Sequence, residues 1–424
     1  MAKRMRFILS TIMVIVAMTA KAQVTTSSLS GKVTDPDKEA IIGATVQAIH
    51  EPSGTRYGAI TNIDGRYTIQ GMRAGGPYSV EVSYIGYQTM MYKDVTLQLG
   101  EVYNLNVQMK ESSELLEEVV VTAQKTKFAS EKTGATTNIS NTQIASMPSV
   151  SRSITDYSRL SAYGGNGMSF AGSDGRTANF TIDGANFNNN FGLSSNLPGG
   201  GNPVSIEAID EIQIVISPFD VRQTNFIGGG INAITKSGTN TYKGTAYIYH
   251  QNENMRGDAI DRETILGARE KDQSTTYGFT IGGPIIKNKL FFFANGELQN
   301  TPAIANRWRA SEDGVANADA YISRATVADL QNVSDIAKER YGYDTGSFSS
   351  FPSDNKNTKL LARIDWNINN NHRLALRYNY TKNTVWNAPN ASSMDGGTRM
   401  SGSRTSQYAM SYANSMYSLD NLVH

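Results

Sequence analysis

Hydrophobic and polar residues alternate along the last part of the chain, in segments of about ten residues. In one segment Tyr277, Phe279 and Ile281 share a face, and Thr276 and Thr280 lie on the other. The same alternation recurs at 242–250, 292–298, 359–366, 373–380 and 408–412. Such segments have the length of tilted membrane strands, with lipid on one side and a polar interior on the other. The pattern predicts about six antiparallel strands over 241–424.

The connections between these strands alternate in length. Those at 283–288 and 369–371 are short, whereas those at 251–274, about 300–357 and 383–404 are long. Outer-membrane barrels combine short periplasmic turns with long outer loops, and a soluble β-sandwich explains this asymmetry less well. Single-chain bacterial barrels have at least about eight strands, and plugged transporters about 22. We therefore expect an incomplete transmembrane antiparallel β-barrel, the start of a longer protein.

The N-terminus has the pattern of a secretory signal. Basic residues at 3–6 precede an apolar run at 7–18, and a small-x-small motif follows at 20–22. The run is too short to span a bilayer. We predict a signal peptide over 1–22, with cleavage between Ala22 and Gln23.

The next segment, 23–110, contains short alternating runs between turn signals, which predicts a small β-sandwich. It resembles the carboxypeptidase regulatory-like domain, a transthyretin-like sandwich. The resemblance lies in Ser30-Gly31-Lys32-Val33-Thr34-Asp35, Ile42-Gly43-Ala44-Thr45-Val46, Asp64-Gly65-Arg66-Tyr67 and Tyr84-Ile85-Gly86-Tyr87. No peptidase chemistry follows from it, because His50 is the one histidine here and is expected to be a polar residue at a strand end.

A linker over 111–127 contains the sequence Glu117-Glu118-Val119-Val120-Val121-Thr122-Ala123. Consecutive valines favour an extended strand, and an isolated strand needs a sheet edge to pair with. Two interpretations are open from the residues alone. The segment is either an edge strand of the sandwich or a docking peptide that adds a strand to another protein.

Glycine clusters mark the segment 128–240, at 164–165, 199–201 and 228–230. None has the spacing of a phosphate-binding loop, so tight turns and close packing explain them better. The segment resembles the mixed α/β plug domain of TonB-dependent outer-membrane receptors. The matching residues are Thr181-Ile182-Asp183-Gly184, the strand at 212–216 and Gly229-Gly230-Ile231-Asn232-Ala233-Ile234-Thr235-Lys236. Ser217-Pro218, where the family usually has Gly-Pro, and an Asn-rich insert at 186–202 depart from the family pattern.

The combination of a sandwich, a valine segment, a plug and long loops resembles the Bacteroidetes-type receptors. Within these receptors the chain resembles the Oar-like branch more than the closely related SusC-like branch. The residues that suggest this are Ser217-Pro218-Phe219-Asp220-Val221-Arg222 and Gly282-Gly283-Pro284-Ile285. The resemblance implies that Glu117, Glu118, Val119, Val120, Val121, Thr122 and Ala123 form the TonB box, which the inner-membrane TonB protein captures. It also implies an outer-membrane location with the N-terminal domain in the periplasm. A surface lipoprotein is a further candidate partner.

The implied function is TonB-driven import of an extracellular ligand whose class the sequence does not give: oligosaccharide, peptide and chelate all stay open. The alternative is a surface adhesion or assembly protein without transport. Candidate ligand contacts lie in plug loops, where aromatic and amide side chains suit sugars or peptides but serve loop packing equally well. They are Tyr163, Phe187, Asn188, Asn189, Asn190 and Phe191.

Composition excludes other functions. Lys+Arg 39 against Asp+Glu 38 gives a net charge of +1, so no global basic field favours nucleic acid. The chain has no cysteine and only four histidines, which excludes thiolate sites and leaves little for a zinc site. Asp183, Asp210 and Glu211 have no base, nucleophile or metal set beside them. We expect no enzyme activity, no cofactor and no metal.

Overall fold

The computed structural model describes residues 24–111, 119–122, 135–147, 149, 152–165, 167–188, 197, 202–216, 223, 227–255, 259–260, 263–264, 273–302, 309–317, 320, 322–348, 354–370, 372–386 and 417–423. The predicted signal peptide and its cleavage position lie outside these residues. Strands make up 54% of the structure, which confirms the all-β-dominated fold. None of the helices in these ranges is long and apolar enough to cross a membrane.

Two packed sheets form the N-terminal sandwich. Its strands are β1 (Ser27–Thr34), β2 (Thr45–His50), β3 (Thr55–Ile60), β4 (Arg66–Met72), β5 (Gly75–Ser83), β6 (Met90–Leu97), β7 (Val102–Asn104), β8 (Val107–Gln108) and β9 (Val119–Thr122). One sheet has the order β3-β2-β5-β6-β9; the other has the order β4-β1-β7, with β8 also paired to β1. Alternate residues such as Val46, Ala48, Val80 and Val82 point inward and are fully buried, so the period-2 pattern forms one core between the sheets.

A second, mixed sheet follows, which we call the plug sheet. Its elements are β10 (Ala135–Ser140), α1 (Asn141–Ser146), α2 (Ile154–Ser158), β11 (Asn179–Ile182), β12 (Ala185–Asn186), β13 (Ile209–Ile216) and β14 (Gly230–Thr235). The strand order is β10-β13-β14-β11-β12, and β11 and β14 run parallel. Phe180, Ile212 and Ile231 are fully buried in its core.

Close packing and backbone conformation explain why glycines occupy positions 228 and 229, just before β14. A Cβ at Gly229 would lie 2.7 Å from ring carbons of Phe170, which is itself fully buried. Gly228 has a φ of 103°, which L side chains rarely adopt. Any larger residue at 229 would therefore displace either the strand or the aromatic core.

Six of the remaining strands form a long antiparallel sheet, which we call the wall sheet. The elements of this part of the chain are β15 (Lys243–Gln251), β16 (Ala259–Ile260), β17 (Glu263–Thr264), β18 (Ser274–Ile286), β19 (Leu290–Pro302), β20 (Arg309–Ser311), β21 (Ile322–Thr326), α3 (Val327–Tyr341), β22 (Asp354–Asn367), β23 (Arg373–Trp386) and β24 (Tyr417–Val423). The wall sheet has the order β15-β18-β19-β22-β23-β24. The short elements β16, β17, β20, β21 and α3 lie in the long connections.

The two faces of the wall sheet differ as the sequence predicts. Outward residues such as Tyr277, Leu360, Ile364, Leu376 and Tyr378 are exposed large hydrophobics. The inward residues are polar and buried: Thr276, Thr280, Asn295, Glu297, Lys359, Arg363, Asp365 and Asn379. This arrangement, with an apolar exterior and a polar interior, is typical of an outer-membrane barrel.

One predicted connection needs revision. The short connection predicted at 283–288 is only a turn at 287–289, because β18 continues to Ile286. A β-bulge between Pro284 and Ile286 accommodates the proline, which has no N–H to donate. The predicted strand at 408–412 lies outside the described residues, and the sixth described wall strand is β24, paired with β23.

The wall sheet is open: among the described strands, none joins β15 to β24.

We predict that Leu376→Arg lowers the amount of protein assembled in the outer membrane. Leu376 is 64% exposed on the apolar face, opposite Ile364 in the register of β22 and β23. An arginine on the lipid face of a barrel strand costs up to about 2–4 kcal/mol, and the cost decreases toward the strand ends. The measurement is the folded fraction in outer-membrane extracts, with Leu376→Phe as the apolar control. Equal folded fractions for the two variants would contradict a lipid-facing Leu376.

Candidate functional site

The plug sheet packs against the inner face of the wall sheet, and the contact is largely polar. Phe293 and Leu361 of the wall contribute to the plug core, and around them the contact is made by charged and hydroxyl side chains. Two clusters carry most of these contacts, one toward the short turns and one further along the strands.

The first cluster is built around two arginines of the wall sheet. Arg363 and Arg377 are direct partners in the register of β22 and β23, where like charges repel. Asp183 of the plug sheet places its carboxylate between them. Its Oδ1 lies 3.6 Å from Arg363 Nη1, and its Oδ2 lies 3.3 Å from Arg377 Nε. The Asp183 carboxylate therefore offsets the repulsion between the two arginines of the wall sheet.

The turn between β11 and β12 positions Asp183. This residue has a φ of 50°, and Gly184 follows it in the left-handed region, which lets the chain reverse within two residues. The Thr235 N–H donates to Asp183 Oδ1 at 3.0 Å, so β14 also holds the carboxylate in place. The Asp-Gly and Thr-Lys motifs, which are 52 positions apart in sequence, meet here.

Asp365 extends this cluster to the sandwich. Arg363 donates to Asp365 through Nε at 2.8 Å and Nη2 at 3.0 Å, a bidentate pair between alternate residues of β22. Arg73 of the sandwich reaches the same carboxylate at 3.6 Å. Arg363 Nη1 also donates to the Thr235 carbonyl at 2.6 Å. We call Arg73, Asp183, Arg363, Asp365 and Arg377 the charge cluster; it joins sandwich, plug sheet and wall sheet.

The second cluster lies further along the strands and is centred on Glu297 of β19. Lys359, its register partner on β22, donates to it at 2.7 Å. Ser205 of the plug segment donates to Glu297 at 2.6 Å, and Tyr247 of β15 donates at 2.9 Å. Both members of the ion pair are buried, and each has an opposite charge to compensate it.

Arg152 adds a third plug contact beside this cluster. Its guanidinium lies 3.6 Å from the centre of the Tyr249 ring on β15, and it pairs with Glu207 at 3.2 Å. The Tyr249 hydroxyl donates to the same Glu207 carboxylate at 3.1 Å. A cation–π contact and the hydrogen bond from Tyr249 thus bind one edge of the plug segment to the first wall strand.

A buried carboxylate also joins the sandwich to the plug sheet. The N–H of Leu99 and the amide of Asn138 each donate to Glu211 Oε1 at 3.0 Å. Burial nevertheless raises the pKa of Glu211 from 4.5 to about 7. Burial also raises the pKa of Asp210, against the opposing effect of the Arg363 and Arg73 guanidiniums. Neither carboxylate has catalytic surroundings.

His50, the last residue of β2, is part of a hydrogen-bonded chain to the wall sheet. Its Nδ1 lies 2.7 Å from the Ser53 hydroxyl, which lies 2.7 Å from that of Thr55. Thr55 in turn accepts from the Asn367 amide at 2.9 Å. Burial and the nearby Arg73 lower the pKa of His50 to about 3, so the imidazole is neutral and structural.

The structure describes the middle of the predicted TonB box. Val119–Thr122 forms β9, which pairs in parallel with Met90–Lys93 of β6. Glu117, Glu118 and Ala123 lie outside the described residues. Of the two interpretations of this segment, the edge strand is the arrangement the structure describes, and the docking role stays a prediction.

The predicted ligand contacts are not brought together as one surface. Tyr163 is 53% exposed. The expectation that Phe187 faces a ligand is wrong for this structure, because its side chain is 2% exposed and packs edge-on against Phe180 at 6.4 Å. Asn188 accepts a hydrogen bond from the Phe180 N–H at 2.6 Å and donates one to Asn179 at 2.8 Å. Its side chain therefore stabilises the start of β11. Asn189, Asn190 and Phe191 lie outside the described residues.

Sequence reasoning did not nominate Arg363, Asp365 and Arg377 as site residues. A signal was present, since the alternation put all three on the inner face of wall strands, where a charge needs a partner. What the sequence did not contain was the position of that partner, Asp183, on another sheet.

No group of three or more metal-ligating side chains occurs in the described part of the chain.

Comparison with known proteins gives two domain matches. Residues 28–110 match the carboxypeptidase regulatory-like domain, and residues 234–308 match an outer membrane beta barrel domain. The TonB-dependent transporter Oar of Myxococcus xanthus is 27% identical over 227 residues, which is 51% of this chain. The chain is related to TonB-dependent outer-membrane receptors. The matched region spans 19% of the length of Oar, so the chain corresponds to a small part of that relative.

Solved structures of receptors are also similar in part. The siderophore receptor PirA of Acinetobacter baumannii is 20% identical, covers 59% of this chain and 31% of its own, and has a TM-score of 0.38. The outer membrane transporter YddB of Escherichia coli is 13% identical, covers 59% and 33%, and has a TM-score of 0.41. The match to an outer membrane beta barrel domain confirms the predicted outer-membrane location, and the curated relative is a transporter rather than an enzyme.

We predict that Asp183→Asn destabilises the protein by about 3 kcal/mol, because it leaves Arg377 without this ion-pair partner and Arg363 with Asp365 alone. The measurement is urea unfolding of the purified protein in detergent. The matched control is Asp174→Asn, whose pair with Arg176 is 45% exposed and is screened by water, so no measurable change is expected. Equal stabilities of the Asp183 variant and the wild type would contradict the role of the charge cluster.

We predict that the thermal stability of the protein falls as the pH rises from about 5 to 8. The folded pKa of Glu211 is raised to about 7, so its contribution is fully present below pH 4.5 and is lost as the pH rises through 7. The shift corresponds to about 3 kcal/mol. Glu211→Gln keeps the acceptor for Leu99 and Asn138 but cannot ionise, so its melting temperature should change less over this range. Parallel profiles for wild type and variant would show that another group controls the pH dependence.

Proposed function

We propose that this chain is the plug and adjoining wall of an outer-membrane transporter that imports a ligand with energy from the inner-membrane TonB complex. The observation that carries the proposal is the plug sheet itself, which lies against the polar inner face of the wall sheet and is held there by the charge cluster and the Glu297 cluster. The transporters among its relatives support the same function.

The chemistry of the plug contact suits a part that moves. Apolar surfaces that separate must be rehydrated, at about 25 cal/mol for each Å². The contacts around Asp183, Ser205 and Glu297 are hydrogen bonds and ion pairs, which water can replace as the surfaces part. A plug held in this way stays in place at rest and yet yields to a pull.

The pull would be applied through Glu117–Ala123, which we propose as the TonB box. TonB would capture this segment by adding a strand to it, with backbone hydrogen bonds for grip and pockets for alternate side chains. The described part of the segment, Val119–Thr122, is already extended, and extended backbone is the conformation that strand addition requires. The segment precedes the plug sheet in the chain, so tension on it reaches β10 first.

The ligand class stays open between oligosaccharide, peptide and chelate. Among the described candidate contacts, Tyr163 is the most exposed.

We predict that Val120→Pro in the intact receptor weakens binding to the periplasmic part of TonB by up to about tenfold. Proline has no N–H and cannot complete a strand ladder, and one lost backbone hydrogen bond is worth up to about tenfold in affinity. The measurement is the dissociation constant with the purified TonB fragment. Val120→Ile, which keeps a β-branched strand residue, is the control. Equal binding by wild type and Val120→Pro would contradict the box and favour the adhesion or assembly alternative.

A further inference from the structure

The central residues of the proposed box are paired within the protein. Met90 is the register partner of Val119, and the pairing continues residue by residue to Lys93 and Thr122. On its other side β6 pairs with β5, so β9 extends a complete sheet of the sandwich by one strand.

The chain path keeps this segment next to β6. The Gln88 N–H donates to the Lys110 carbonyl at 2.9 Å, and Tyr87 and Glu111 form an isolated β-bridge. The chain therefore passes the start of β6 just before residues 112–118 and returns to it at Val119. A segment tethered this closely has a high effective concentration at the strand edge.

The strand edge that receives the segment is fixed in the molecule. Met90, Val95 and Leu97 of β6 are buried in the sandwich core. The sandwich is joined to the plug sheet at Leu99 and to the wall sheet at Arg73. A strand on β6 is consequently held against the body of the receptor.

We propose that the edge of β6 is an internal binding site for the box, and that docking there competes with capture by TonB. This inference rests on the proposed function, in which Glu117–Ala123 is the box. TonB would bind by backbone pairing, and β6 already pairs with the backbone of Val119–Thr122. Moving the plug also requires the box to leave the sandwich, because a pull on a box fixed to β6 would act on the sandwich instead.

The docked box sets how tightly TonB binds. If only a fraction of receptors has a free box, the apparent dissociation constant equals the intrinsic constant divided by that fraction. The sandwich would then act as a clasp that keeps resting receptors from engaging the energy complex.

A disulfide across the pairing tests the clasp. The chain has no cysteine, so Met91→Cys with Val120→Cys in the intact receptor creates the one possible bond. These residues are register partners, and Met91 lies outside the sandwich core, between the buried Met90 and the inward Tyr92. Met91→Cys with Thr122→Cys is the matched control, because an offset of two residues puts the Cα atoms beyond about 7 Å, too far to bridge.

Both receptors are oxidised, and binding of the purified TonB fragment is measured before and after reduction. We expect the register pair to form a disulfide and the control not to. We also expect the locked receptor to bind TonB at least about tenfold more weakly than its reduced form, with full recovery on reduction.

Two outcomes would overturn the clasp. Failure of the register pair to cross-link would show that β9 does not dock on β6, and unchanged TonB affinity of the locked receptor would show that docking and capture do not compete. Failure of the proposed function looks different: in that case wild type and Val120→Pro bind the TonB fragment equally, whether or not the disulfide forms.

Discussion

Arg363 and Arg377 face each other across two strands of the wall sheet, and Asp183 of the plug sheet lies between their guanidiniums. At these neighbouring register positions two like charges repel unless carboxylates compensate them, and Asp183 supplies one from the plug sheet beside Asp365 of the wall sheet itself. Asp365 also pairs with Arg73, which continues the network to the sandwich. One group of five charged residues thus links three parts of the chain: the sandwich, which has its own core, and the plug sheet, whose core includes Phe293 and Leu361 of the wall sheet.

The two faces of the wall sheet differ in polarity, and this difference is the feature that relates the fold to function. The outer face has large hydrophobic residues that suit lipid, whereas the inner face has residues that suit either water or a polar partner. A plug held by hydrogen bonds and ion pairs can therefore be ordered at rest and still exchange its contacts for water. The segment Val119–Thr122 lies between the sandwich and the plug sheet in the chain, and it is paired to the sandwich.

Much of this architecture could be predicted from local patterns. Strict alternation in Tyr277–Ile281 and in the segment around Leu360 gave the correct lipid face, because a side-chain period of two fixes the face wherever one side is buried. The Gly229-Gly230 motif predicted close packing, and Phe170 is the residue that requires it. Phe187 was assigned wrongly, because an aromatic residue in a polar, Asn-rich stretch has the local appearance of an exposed loop residue, while its burial depends on Phe180.

The sequence by itself determined the class of fold, the order of sandwich, valine segment, plug sheet and wall strands, and the outward face of wall strands such as β18 and β22, since all of these depend on neighbours within a few residues. Only the tertiary structure decided which charges meet. The pairs Asp183–Arg377 and Leu99–Glu211 join residues that are far apart in sequence, and no local pattern specifies their distance. The docking of Val119–Thr122 on β6 belongs to the same group: a valine run predicts a strand, but its partner edge is set by where the chain returns in space.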